Sequence, residues 1–77
     1  MRDFHQRLRV YYTTGNYRGF YKVTEHQMRL AGRTFMKFSN GKKEIYSTGL
    51  FIEGVLESIF DQIDEYYANK ESIFQAM

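Results

Sequence analysis

The stretch Thr34–Thr48, TFMKFSNGKKEIYST, decides how the chain is read. Asn40-Gly41 separates two alternating segments, and Asn-Gly is the strongest short-range signal for a two-residue type I′ hairpin. That loop predicts a register in which Phe38 lies opposite Lys43, Lys37 opposite Glu44, Met36 opposite Ile45 and Phe35 opposite Tyr46. Opposed residues share a face. One side therefore carries Met36, Phe38 and Ile45, and the other carries Phe35, Lys37, Glu44 and Tyr46. A face that mixes aromatics with cations is not core; it is either solvated or a binding surface.

Beyond this hairpin the period changes from 2 to 3.6. From Leu50 onward, Ile52, Val55, Leu56, Ile59, Phe60, Ile63, Tyr66 and Tyr67 fall on one arc of a helical wheel. Glu53, Glu57, Asp61, Asp64 and Glu65 fall on the other. Ser47 or Thr48 is the expected N-cap. The apolar arc is the natural cover for the Met36/Phe38/Ile45 face. It runs on past Lys70 through Ile73, Phe74 and Met77, so residues 70–77 are expected to overhang the sheet or fray, and to offer a self-association surface.

Before the hairpin, Phe4–Thr13 alternates, with Phe4, Leu8, Val10 and Tyr12 on one side and His5, Arg7, Arg9, Tyr11 and Thr13 on the other; Gln6 is the exception. This predicts a half-buried strand. Thr14-Gly15-Asn16-Tyr17 would turn it into a hairpin placing Tyr11 opposite Phe20, Val10 opposite Tyr21, Arg9 opposite Lys22 and Leu8 opposite Val23. Thr24–Gly32 stays open between a short helix over 25–31, suggested by the capping-box spacing Thr24-x-x-Gln27, and a further strand. The expected architecture is α+β: a four-stranded antiparallel sheet of two hairpins with one C-terminal amphipathic helix over one face.

The chain has 77 residues, 43% of them apolar and 18% aromatic, enough for one small packed domain over 1–77. It has no Cys, which excludes disulfides and Cys-type zinc sites. The N-terminal MRDFHQRLRV has no signal-type apolar core and no run approaches membrane length, so a cytoplasmic protein is expected. Net charge is only +2, but residues 1–48 carry +7 and residues 49–77 carry −5. The halves differ in sign, which bears on partners more than the total does.

On the expected four-stranded sheet the outer face gathers His5 with Arg7, Arg9, Tyr11, Arg18, Phe20, Lys22, Arg33, Phe35, Lys37 and Tyr46. Cations neutralise phosphates, and flat rings stack unpaired bases at about 1–3 kcal/mol per base. Arg18-Gly19-Phe20-Tyr21-Lys22-Val23 resembles the aromatic RNP1 segment of RNA-recognition motifs, although Tyr21 and Lys22 depart from it and the strand–helix order of that fold is absent. A sheet with one C-terminal helix is similar in architecture to some single-strand binders and to integrase arm-binding domains. The acidic stripe Glu53, Glu57, Asp61, Asp64 and Glu65 reads first as the solvated face of an amphipathic helix. It also fits a row of carboxylates offered to a basic protein site, and in size and acidity resembles small phage-borne inhibitors such as some anti-CRISPR proteins.

His5 and His26 stand in different elements, and no nucleophile–His–acid or HExxH spacing occurs. The chain is therefore read as non-enzymatic, without metal or cofactor. The expected function is single-strand nucleic-acid binding through the sheet face. The alternative is a phage-type interaction module or anti-defence inhibitor of a nucleic-acid-processing enzyme, acting through the acidic helix or the sheet. A homodimer fits either reading.

Overall fold

Residues 4–14 satisfy two periodicities at once, and packing selects the helical one. The computed structural model describes residues 4–28 and 32–76. Its element order is α1 (Phe4–Thr14), β1 (Tyr21–Met28), β2 (Arg33–Ser39), β3 (Glu44–Gly49) and α2 (Ile52–Ala76). Phe4 and Leu8 are four apart, a spacing that suits both a strand and a helix. Tyr11 breaks the tie. Phe4, Leu8 and Tyr11 pack against the core at i, i+4 and i+7, whereas Val10 and Tyr12 are left exposed. Gly15 then ends the helix. Its φ is +81° and its N–H donates to the Tyr11 carbonyl at 2.7 Å, the αL form of C-cap.

The expected first hairpin is thus replaced by a helix and a tight turn. Tyr17 and Phe20 exchange backbone hydrogen bonds of 2.8 and 2.9 Å around Arg18 and Gly19, both at positive φ. That is type I′ geometry. Both rings become fully buried, with Tyr17 stacked on Phe60 at 4.5 Å. Arg9 does not oppose Lys22. The expected four-stranded sheet with one helix is corrected to three antiparallel strands, in the order β1-β2-β3, with two helices.

β1 runs through Met28, so Glu25–Met28 is strand and not the start of a short helix; residues 29–31 lie outside the described residues. β1 pairs with β2 from Tyr21 opposite Ser39 to Met28 opposite Arg33, with an irregularity at Val23. The β2–β3 hairpin has a four-residue loop in place of the expected two. Asn40 Oδ1 accepts from the Lys42 and Lys43 amides at 2.9 and 2.7 Å, and Gly41 takes φ +92°. Phe38 therefore opposes Ile45, and Lys37 opposes Tyr46. Relative to the two-residue loop this moves the register by two residues, and an even slip leaves every side chain on its expected face.

Met36, Phe38 and Ile45 are buried under α2, against Val55, Leu56, Ile59, Phe60 and Ile63. α1 lies on the same side, with Tyr11 5.4 Å from Phe38 and Phe4 6.3 Å from Phe60. α2 begins later than expected. The Phe51 carbonyl accepts from the Val55 N–H at 3.1 Å, which makes Phe51 the N-cap in place of Ser47 or Thr48, and Ile52 is exposed. Tyr66 and Tyr67 pack on the core, and the helix continues to Ala76, about 14 Å further.

Candidate nucleic-acid interface

The strand periodicity of 2 puts alternate residues of β1, β2 and β3 on the face opposite the helices. β2 contributes Arg33, Phe35 and Lys37, β3 contributes Glu44, Tyr46 and Thr48, and β1 contributes Tyr21, Thr24, His26 and Met28 through the pairings His26–Phe35 and Thr24–Lys37. An aromatic row crosses all three strands. His26 and Phe35 are 6.4 Å apart with planes 28° from parallel, and Phe35 and Tyr46 are 6.0 Å apart at 34°. Phe35 is half-buried, while Tyr46 is 64% exposed. Lys37 lies in the row's next register position and reaches Glu44 at 3.6 Å. Lys42 and Lys43, both exposed, stand in the loop that joins β2 to β3.

Of the residues expected to bind nucleic acid, Arg33, Phe35, Lys37 and Tyr46 share this face. The others do not: Arg7, Arg9 and Tyr11 belong to α1, Arg18 and Phe20 to the turn, and Lys22, though in β1, pairs with Phe38 on the helix side. Arg7 is buried between the helices, its side chain 8% exposed, and donates to Asp61 at 2.7 Å and Asp64 at 3.3 Å. Burial alone would lower its pKa; the hydrogen bond and charge of Asp61 outweigh this and raise it. Arg9 and His5 are exposed on α1. Tyr11 packs on Phe38, and Phe20 is core. Lys22 shares the helix-side face with Glu25, to which it donates at 2.8 Å, a bond that raises its pKa.

Arg18 sits at φ 52°, donates to Asp64 at 2.9 Å and lies over the Tyr67 ring at 4.3 Å. Tyr67 in turn donates its hydroxyl to the Arg18 carbonyl at 2.7 Å. The left-handed backbone is held by contacts on three sides of the residue.

The acidic stripe divides. Asp64 accepts from Arg7, Tyr17 and Arg18, and Asp61 accepts from Arg7, so these two carboxylates tie the N-terminal segment to α2. Glu53, Glu57 and Glu65 remain exposed. The side chains of Ile73, Phe74 and Met77 lie outside the described residues.

His26 is the member of the row that sequence reasoning missed. Reading Gly32 as the middle of a second hairpin would have paired His26 with Phe35, because strand alternation through Thr24, His26 and Met28 is present in the letters. The competing capping-box pattern masked it.

Among the described residues, no group of three or more His, Asp or Glu side chains could hold a metal ion, and no helix is long and apolar enough to cross a membrane. No protein-family model matches the chain, and no curated protein or solved structure matches it either.

Proposed function

We propose that this chain is a non-enzymatic nucleic-acid-binding domain that takes unpaired strands on the open face of its sheet. The observation that carries the reading is the His26–Phe35–Tyr46 row. Three rings lie in line on the side away from the core, and rings about 6 Å apart match an extended strand better than stacked bases. Lys37 stands beside the row and Lys42 is exposed in the adjoining loop, where they would meet phosphates; Lys43 lines a groove with Gln62 and Glu65 of α2 on the other side of the sheet. A broad sheet cannot enter a groove of duplex DNA as a helix does, whereas it can stack exposed bases.

The test is fluorescence anisotropy with single-stranded oligonucleotides of about ten nucleotides, at low and moderate salt. Phe35→Ala and Tyr46→Ala are each expected to weaken binding about tenfold. Lys37→Ala should weaken it and flatten its salt dependence. Absence of binding at low salt, or binding indifferent to both ring removals, rejects the reading. The alternative, an inhibitor-type module docking a basic protein, rests on Glu53, Glu57 and Glu65, because Asp61 and Asp64 are engaged within the fold. Charge reversal at Glu57 separates it from the first reading.

A further inference from the structure

We infer that the end of the sheet where β3 passes into α2 is a self-association surface whose occupant is a second copy of this chain. Leu50, Phe51 and Ile52 stand there in succession, Phe51 76% exposed, with Met28 of β1 exposed nearby. Beside them is an open groove of about 600 Å³ lined by Gln27, Thr34, Leu50, Phe51, Ile52 and Glu53. It adjoins a smaller groove, which shares Gln27 and Thr34 and reaches Met28 and Arg33.

Phe51 breaks a local rule. It is the N-cap of α2, a position where Ser, Thr, Asp or Asn would satisfy a free N–H and a phenyl ring satisfies none. Its ring is largely in water, so the monomer gains no packing in exchange. Positions where local preference and observed residue disagree are where a function outside the monomer is expected.

The charges select the partner. Arg33 flanks the apolar centre on the β1–β2 side and Glu53 flanks it on the helix side. Both are exposed, and among the described residues neither is in an ion pair. A polyanion would meet Glu53 and a polycation would meet Arg33. A second copy related by a two-fold axis near Thr34 meets both correctly, Arg33 against Glu53 in each direction. The same axis sets each projecting Phe51 against the other copy's groove. Protrusion, recess, cation and anion on one patch are what an isologous interface requires. Four exposed apolar side chains fall short of the roughly 800 Å² per partner of a standard interface, so the dimer is weak.

The experiment is sedimentation velocity on the full chain without nucleic acid, from about 10 µM to about 1 mM, so that its outcome is independent of the proposed binding face. The weight-average sedimentation coefficient is expected to rise with concentration. Phe51→Asp should weaken dimerisation at least about tenfold while raising the urea midpoint, because Asp caps α2; a folded monomer is thereby distinguished from an unfolded one. Arg33→Glu and Glu53→Arg should each weaken the dimer about tenfold, and the double swap should restore it to within roughly threefold. A monomer at every concentration, a dimer untouched by Phe51→Asp, or a double swap no tighter than the single variants overturns the inference.

Discussion

Arg7 of α1 donates to Asp61 of α2 at 2.7 Å, joining residues 54 apart in sequence. Asp64, one turn further, accepts from Arg7, from the Tyr17 hydroxyl at 2.8 Å and from Arg18. The N-terminal segment is therefore fastened to the C-terminal helix by a charged network at the edge of an aromatic core. The two carboxylates are not equivalent, since the Asp61 side chain is 64% exposed and that of Asp64 is 36% exposed.

Asp64→Ala removes the acceptor of three donors and leaves the buried Arg7 with Asp61 alone. It is expected to cost about 2–4 kcal/mol, against about 1 kcal/mol for Asp61→Ala. Urea unfolding of both variants checks the order. A larger loss from Asp61→Ala would show that the network is not centred on Asp64.

Alkaline pH should loosen the same region. Burial, followed by the hydrogen bond to Asp64, raises the Tyr17 pKa above the ordinary 10.0, and burial raises that of Tyr11. Both groups stay neutral in the folded chain at a pH where the unfolded chain already ionises. Their contribution is fully present below pH 10, the unfolded value, and is lost as pH rises through the higher folded values. Urea midpoints taken from about pH 8 to about pH 11.5 should fall above about pH 10, and fall less steeply in Tyr11→Phe. A slope unchanged by that substitution rules out Tyr11 as a contributor.

The two faces of β2 should respond unequally to ring removal. Phe38 is fully buried, so Phe38→Ala is expected to cost about 3–5 kcal/mol and to unfold a domain of this size at moderate temperature. Phe35→Ala, on the open face, should cost about 1 kcal/mol or less. Thermal unfolding followed by circular dichroism compares the two, and equal losses would contradict the face assignment.

Gly49 sets how closely β3 approaches α2. A Cβ at that position would stand 3.2 Å from Val55 Cγ2. Gly49→Ala is expected to cost about 1 kcal/mol, and Val55→Ala in the same chain should recover part of it. Additive losses in the double-mutant cycle would place the strain elsewhere.

Strand alternation made the two faces of the β2–β3 hairpin legible: Met36, Phe38 and Ile45 are buried as expected, and Phe35, Lys37 and Tyr46 lie opposite them. That partition survives the change from a two-residue to a four-residue loop because side-chain parity is unaffected by an even slip. The buried arc of α2 was equally plain from Val55 to Ile63, since a 3.6 period over that length has no strand equivalent. By contrast, the His26 side of the candidate interface was hidden by a local pattern that fitted a helix start equally well.

By itself, then, the sequence determined the faces of one hairpin and the core arc of one helix, each through a periodicity that admits a single reading. Tertiary structure decided the remainder. Phe4 and Leu8 are four residues apart and suit either period; the choice fell to packing, where Tyr11 reaches Phe38 and Arg7 reaches Asp61 only if the segment is helical. Phe20 moved from an expected stacking ring to the core for the same reason. Once residues 4–14 coil, Tyr17 and Phe20 are carried beneath α2, and water is excluded from both rings.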